Sequence, residues 1–428
     1  MKNYRFVVAF LLFIAGAINY MDRAALGVAA PFVSKDLHLS PATMGVIFST
    51  FFFGYAIFAF VGGQLADRFG PKRVYIWAAA GWSVCCAATG LVTGFITMFV
   101  VRGLFGFAEG PMNSTTNRAI TNWFPREETS RTIGFTFSGQ TVGSAIAAPI
   151  VGLLAIAYGW RIAFFGIGAL GLLWVVAWMM LVTDKPGDNP RVGTAEREMV
   201  AASRSVPVVS EEDRKLPLNS FLWRPSILSL GLGMFAVNYT LYIFLSWLPT
   251  YLTTAQHMDV KHMAFVASIP WACGFVGYVG GGIIADFAYN RMGDRLAARK
   301  LTTIAPLAIA AVALVAVNFA GTPAMAVALI ALAVMMLTSS VQSCWATIHE
   351  LVPAGRVGGI SGFIHLISNI SGIIGPTATG LAVQYLGGYS SAFAVASALA
   401  VAGVIAMAIC VKRPRLDAAP ADALAHRA

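Results

Sequence analysis

Apolar stretches near twenty residues recur along the whole chain, separated by short polar connections. Each is long enough to cross a hydrocarbon layer of about 30 Å as a helix. About twelve are predicted, at 6–33, 41–66, 74–94, 96–119, 131–157, 161–183, 226–253, 262–285, 301–320, 322–347, 357–386 and 390–411. Helices are required because a bilayer core has no water to satisfy an unpaired backbone group. The expectation is therefore an all-α membrane protein.

One stretch breaks the pattern. From Thr183 to Pro225 the chain turns polar, with Asp184, Pro186, Asp188, Pro190, Glu211, Glu212, Asp213 and Arg214. It divides the spans six and six and reads as a solvated cytoplasmic tether, with a short surface helix around Asn219–Trp223. The expected domains are a six-helix bundle over 1–183, a linker over 184–225, a second bundle over 226–411 and a cytoplasmic tail over 412–428. The first span starts after five residues, contains Asp22-Arg23 and lacks a small-residue cleavage site, so it reads as retained and not as a cleaved signal.

Composition agrees. Of 428 residues, 58% are hydrophobic and 11% charged, whereas a soluble domain carries about 25% charged residues. A net charge of +10 would fit a nucleic-acid binder, but its placement argues against one. About 24 of the 29 Lys and Arg fall at the amino terminus, in the even-to-odd connections and in the tail. Lys2, Arg5, Arg68, Lys72, Arg73, Arg126, Arg131, Arg291, Arg299 and Lys300 are among them, and the opposite side holds little beyond Lys35, Arg161 and Lys261. Both termini are thus expected in the cytoplasm. The five cysteines, Cys85, Cys86, Cys273, Cys344 and Cys410, all fall in spans without metal-ligand spacing, so no disulfide and no metal site is expected. No Walker loop or nucleophile constellation is present; the expectation is a non-enzyme with no cofactor beyond a coupling proton.

The chemistry lies in four charges inside the apolar spans: Asp22 and Arg23 in the first, Arg102 and Glu109 in the fourth. At about 2.5–3.5 kcal/mol each they oppose insertion by about 10–14 kcal/mol, and such groups face a shielded cavity and mark ion or substrate paths. Arg102 and Glu109 are two turns apart on one helix face, about 10.5 Å along the axis, and that face should line the cavity. A guanidinium stays charged when buried and grips a carboxylate with paired hydrogen bonds. Glu109 can become neutral, and burial and a nearby arginine act on its proton in opposite senses. Asp22 and Arg23, as neighbours, leave the helix about 100° apart and cannot share one task.

The two halves echo each other. Gly63-Gln64-Leu65-Ala66-Asp67-Arg68-Phe69-Gly70-Pro71-Lys72-Arg73 joins spans two and three, and Gly282-Ile283-Ile284-Ala285-Asp286-Phe287, followed by Arg291 and Arg299-Lys300, joins spans eight and nine. Repeated halves around a midplane site are the plan of secondary transporters. The first of these segments closely resembles the cytoplasmic loop signature of the major facilitator superfamily, and the twelve spans and central linker extend the resemblance over essentially the whole chain. Asn19-Tyr20-Met21-Asp22-Arg23, with Arg102 and Glu109, Gly159-Trp160-Arg161 and Trp247-Leu248-Pro249-x-Tyr251-Leu252, resembles the anion:cation symporter family of bacterial galactonate, glucarate and hexuronate transporters.

The resemblance implies roles. Asp22 and Glu109 match the protonation sites, Arg23 the arginine that meets the substrate carboxylate, and Arg102 a coupler of Glu109 to substrate. Tyr20, Tyr55, Gln140 and Asn369 resemble sugar-acid contacts, while Thr240 and Tyr242 lie on the span-seven face that would complete the pocket. Hydroxyls and amides suit a polyhydroxylated acid because each donates and accepts, although such groups also serve helix–helix hydrogen bonds. Asp67, Arg68 and Asp286 read as a gate: a cytoplasmic carboxylate can pair with a helix terminus or a nearby arginine. Gly143-x5-Pro149 and Gly372-x2-Gly375-Pro376 allow close approach and bending. His365 in span eleven is either a titrating group or, the plainer reading, a neutral histidine satisfied by a neighbouring helix.

The chain departs from the galactonate-like pattern at Ala59 and near Thr240, each where a glutamine is common, and in offering Ser343, Trp345 and His349 in span ten. The identity of the acid is thereby left open. The expected function is a proton-coupled symporter that imports an organic anion, most simply a sugar acid, into a bacterial cytoplasm across the inner membrane as a monomer. An aromatic or short-chain carboxylate symporter, an organic or phosphate anion exchanger and a non-transporting anion sensor are the alternatives. A sensor would be expected to carry a signalling domain, which neither linker nor tail supplies.

Overall fold

The computed structural model describes residues 3–204, 219–352 and 356–412. These form helices with no strand among the described residues: α1 (Arg5–Asp36), α2 (Pro41–Phe69), α3 (Pro71–Thr89), α4 (Phe95–Glu109), α5 (Met112–Trp123), α6 (Arg126–Tyr158), α7 (Trp160–Leu181), α8 (Thr194–Arg204), α9 (Asn219–Leu222), α10 (Pro225–Thr254), α11 (Val260–Val266), α12 (Ser268–Arg291), α13 (Arg295–Val317), α14 (Pro323–Leu351), α15 (Val357–Tyr385) and α16 (Tyr389–Cys410). Eleven helical stretches are long and apolar enough to cross a membrane. With α3, which begins at Pro71-Lys72-Arg73 and packs against α7 and α4, they make the twelve crossings. The amino-terminal bundle is α1–α7 and the carboxy-terminal bundle α10–α16.

Local chemistry sets the helix ends. Prolines Pro41, Pro71, Pro225 and Pro323 open helices at a position whose N–H would be orphaned anyway. Ser40, Asp294 and Thr322 accept hydrogen bonds from Thr43, Ala297 and Met325 N–H, satisfying first-turn donors. Gly70, with φ +82°, turns the chain from α2 into α3 in a region that favours glycine.

Two predicted spans are broken. The fourth splits after Glu109 because Pro111 has no N–H and its ring crowds the preceding turn. The eighth divides at Ala267, three residues before Pro270, for the same reason. The first break sits beside a buried charge.

The linker differs from the tether expected of it. Its described part contains a single 3-10 turn (Pro186–Asp188) and α8, and both are docked on the amino-terminal bundle. Glu196 of α8 accepts from the backbone N–H of Tyr4 and Arg5 at 2.8 and 2.9 Å, capping α1, and also pairs with the Arg5 side chain, which forks onto Glu128 at 2.9 and 3.1 Å. Asp184 accepts from the N–H of Lys72 at 2.8 Å, capping α3. Val192 and Val200 are buried. An apolar face and carboxylates at two helix N-termini, where the dipole favours negative charge, turn this segment into a clip. Glu211, Glu212, Asp213 and Arg214, and the tail beyond Lys412, lie outside the described residues. The short helix expected around Asn219–Trp223 is present as α9.

The bundles meet at one end, the end where α1 finishes. There the Thr377 hydroxyl bonds Ser49 Oγ at 2.7 Å, Ala42 N–H donates to Gln384 at 3.0 Å, and Phe48 and Phe52 face Trp247 and Tyr242 at ring distances of 5.5 and 4.3 Å. The backbones approach closely: a Cβ on Gly45 would lie 2.6 Å from the Pro376 carbonyl, Gly27 lies under the carbonyls of Leu245 and Ser246, and Gly380 lies on that of Pro41. Trp247 donates to the carbonyl of Pro376, a proline inside α15, at 3.1 Å. At the amino-terminal end the polar contacts among the described residues stay within each bundle, so the cleft between the bundles opens that way.

Candidate functional site

The site sits at the blind end of that cleft. Arg23, on α1, is 5% exposed, and its Nε donates to Glu109 Oε2 on α4 at 2.6 Å. Three rings enclose the guanidinium: Tyr20 at 4.9 Å, Phe51 at 4.9 Å and Tyr55 at 4.4 Å from their centroids. Cation–π contacts of this kind contribute about 0.5–2 kcal/mol each depending on desolvation. The sleeve therefore supports the charge where most of its surface is buried in protein.

Arg102 occupies the same neighbourhood without a comparable bond. It is 3% exposed, lies over the Phe51 and Phe105 rings at 5.2 and 4.9 Å, and has no hydrogen-bond partner at Nε or Nη1. The same-face pair on α4 is thus not an ion pair: Glu109 bonds across to Arg23, and its second oxygen, Oε1, has no partner. Asn19 lies beside Glu109 short of hydrogen-bonding geometry, with both amide atoms unpartnered. Buried polar atoms rarely stay orphaned, and a cluster of them marks a place for a ligand, water or a proton.

Asp22 points elsewhere, as the 100° step requires. It is 1% exposed, accepts from Cys86 Sγ on α3 at 3.6 Å, and lies inside the amino-terminal bundle near the start of α7. It is within electrostatic reach of Glu109, Arg102 and Arg23 without lining the cleft.

Neutral groups continue the wall. Asn113, one turn past Glu109, donates to the Tyr55 hydroxyl at 3.0 Å and accepts from Gln140 Nε2 at 3.3 Å, tying α2, α5 and α6 into one relay. Across the cleft Tyr242 donates to Asn369 Oδ1 at 3.2 Å, and Asn369 Nδ2 donates to the His365 carbonyl at 2.8 Å. The His365 ring, half-buried, is 6.1 Å from that of Trp345 and within reach of Arg23. Tyr278 and Gln342 meet on the same side. The structure thus brings together Tyr20, Arg23, Tyr55, Glu109, Gln140, Tyr242 and Asn369 around the cleft. Thr240 stands about 200° around α10 from Tyr242, and its hydroxyl is spent on the Ala236 carbonyl at 3.0 Å.

The residues expected to form a gate lie at the open end. Asp67 pairs with Arg118 at 3.1 Å, Asp286 with Arg299 at 3.5 Å, and Arg68 rests over Phe69 at 5.2 Å. Each carboxylate is held by its own bundle. The helix-terminus partner considered for Asp67 is supplied from the linker, where Asp184 takes the α3 N-terminus. Asn113, Phe51 and the Tyr278–Gln342 pair were not singled out from sequence. Asn113 had a usable signal, since it continues the Glu109 face by one turn.

Comparison with known proteins places this architecture. The family model described as Major Facilitator Superfamily matches residues 12–290 and 275–426. The hexuronate transporter of Bacillus subtilis (strain 168) is 38% identical over 94% of this chain and 93% of its own length. The probable galactarate/D-glucarate transporter GudP of Escherichia coli (strain K12) is 32% identical over 96% and 94%. Among solved structures, an inward-facing, unoccupied bacterial homolog of the human lysosomal transporter Spinster superposes with a TM-score of 0.72 at 21% identity, covering 96% of each chain, which shows a common fold.

Proposed function

The chain belongs to the Major Facilitator Superfamily, a multi-pass membrane transporter and not an enzyme, and on that premise we propose that it is a proton-coupled symporter that brings a sugar acid into the cytoplasm across a bacterial inner membrane. The observation that carries this reading is the buried Arg23–Glu109 bond beside the unspent donors of Arg102. A substrate carboxylate and the Glu109 carboxylate compete for one guanidinium. Protonation of Glu109 releases Arg23 to the substrate, and Arg102 supplies a second anchor. Two events that each demand the other are what symport requires.

Asp22 serves as the second proton carrier, separated from the substrate by α1 itself. Tyr20, Tyr55, Gln140, Tyr242 and Asn369 offer hydroxyls and amides to a polyol, and the names of the relatives favour a sugar acid over other organic anions. With the amino terminus in the cytoplasm, the sealed end is extracellular and the cleft is open inward. Alternating access then consists of parting the glycine–carbonyl seal and closing the Asp67 and Asp286 end, with the monomer as the working unit.

Two protons entering with a monoanion move one net positive charge. At 100 mV this contributes about 2.3 kcal/mol, or roughly fifty-fold accumulation. The test is purified protein in liposomes, with uptake of radiolabelled D-glucuronate driven by an inside-alkaline pH gradient and current recorded in parallel. Uphill uptake with inward positive current supports the reading. Uptake indifferent to the pH gradient rejects proton coupling, and an electroneutral response rejects the two-proton version.

A further inference from the structure

Building on the sugar-acid reading, we infer that the site selects a singly charged acid in its ring form, with the carboxylate toward Arg23 and Arg102 and the ring against Trp345.

The first ground is the distribution of charge. The membrane interior of the amino-terminal bundle holds two guanidinia, Arg23 at the cleft and Arg102 beside it, both over the Phe51 ring. The carboxy-terminal bundle holds none: α10, α15 and α16 contain no Asp, Glu, Lys or Arg, α11 carries Lys261 exposed at the sealed end, and α12, α13 and α14 carry Asp286, Arg291, Arg295, Arg299, Lys300 and Glu350 only toward the open end. Its wall of the site is neutral, made by Tyr242, Tyr278, Gln342, Trp345, His365 and Asn369. An acid with one carboxylate can place it among the guanidinia and leave its uncharged part to this wall. A linear diacid must put its second carboxylate on the wall, where no fixed cation meets it. A buried ion without its counter-charge is strongly disfavoured; after a discount for the wet, open cleft, the diacid should bind about tenfold to hundredfold more weakly.

The second ground is shape. Trp345 is half-buried and shares one face of α14 with Gln342, three residues earlier. Its indole gives the cleft a flat apolar plate beside the His365 ring. A pyranose has an apolar C–H face to lay on such a plate and hydroxyls around its edge, whereas an open-chain polyol has no flat face. The Asn369 amide is fixed by its bonds to Tyr242 and the His365 carbonyl, and one N–H and one lone pair remain for an edge hydroxyl. A rigid amide beside a flat ring discriminates by geometry, because a ligand that lacks the matching group leaves a polar atom unpaired.

The experiment is calorimetric titration of the purified full chain with D-glucuronate, D-gluconate and D-glucarate, at a mildly acidic pH where every carboxyl of the three sugar acids is still ionised. D-glucuronate should bind most tightly and D-glucarate at least about tenfold more weakly. Trp345→Ala should weaken D-glucuronate about tenfold and D-gluconate little, while Trp345→Phe keeps most of the affinity. His365→Arg, which gives the neutral wall a cation, should narrow the gap between diacid and monoacid. D-glucarate binding within threefold of D-glucuronate in the unmodified protein, or equal losses for both monoacids in Trp345→Ala, would overturn the inference. Proton-driven uptake of D-glucarate in preference to the monoacids would leave the symporter reading standing and remove this one. If none of the three acids bound or was transported, both would fall.

Discussion

Replacing Glu109 by Gln separates the charge of the Arg23–Glu109 bond from its shape. The carboxylate is 0% exposed, one oxygen accepts from Arg23 Nε at 2.6 Å and the other is unpartnered. Removing one partner of a buried ion pair costs about 3–5 kcal/mol. The amide keeps a neutral acceptor for a charged donor, a bond worth about 1.5–3 kcal/mol. The empty protein should therefore lose about 1–3 kcal/mol, visible as a melting shift of a few degrees. An anionic ligand meets the opposite balance, since Arg23 no longer has a competing carboxylate. Its affinity should rise about tenfold, equivalent to about 1.4 kcal/mol. Transport should split as well: counterflow between equal pH compartments survives, and uptake against a gradient is lost because no proton can load at this position. The assays are thermal shift with and without D-glucuronate, calorimetric affinity, and paired counterflow and uphill uptake in liposomes. Uphill uptake within twofold of the unmodified protein, or loss of ligand binding altogether, would refute the competition between Glu109 and substrate for Arg23.

Three further changes probe other parts of the molecule. Arg23→Lys keeps the charge but gives up the planar group that three rings enclose at 4.4–4.9 Å, and ligand affinity should fall at least about tenfold by titration; unchanged affinity would remove Arg23 as the anchor. Gly45→Ala puts a methyl 2.6 Å from the Pro376 carbonyl and 3.1 Å from Thr377 Cα. Overpacking of about 1–3 kcal/mol should shift the population away from the state sealed at this end by about five- to 150-fold, read as a longer distance between spin labels on the ends of α2 and α15 that meet there. Glu196→Ala removes the cap on α1 and one partner of Arg5, so stability should fall by about 1–2 kcal/mol while ligand affinity stays the same; an altered affinity would mean that the linker reaches the site.

How far the sequence could be read follows from which forces act locally. The twelve crossings were legible because lipid makes one demand on every residue of a span, but the breaks near Pro111 and Pro270 were not, since Pro31, Pro149, Pro249, Pro306 and Pro376 lie inside unbroken helices. Arg23, Arg102 and Glu109 stood out because charge in an apolar stretch must be explained, and the step between neighbours separated Asp22 from Arg23. The choice of partner was not legible: Glu109 bonds Arg23 on another helix, and the rotation of α1 against α4 that decides this is set by packing across the whole bundle. Glu196 looked like one more charge in a polar tether, because capping a helix 191 residues away leaves no trace in local pattern. Nor could the sequence say which end is sealed, since one set of side chains serves every state of the cycle.

The seal itself has a longer consequence. At Gly27, Gly45 and Gly380 it is main chain resting on main chain, and a carbonyl is the same whatever side chain it carries. At these glycines the groups that shut the door are different from those that inspect the passenger, although Tyr242, which faces Phe52 across the seal and bonds Asn369 in the site, belongs to both. Substitutions along the cleft can retune the cargo without disturbing closure, whereas a single added methyl at one of these glycines affects every cargo alike. Cargo and closure can therefore be altered one at a time wherever the two do not share a residue.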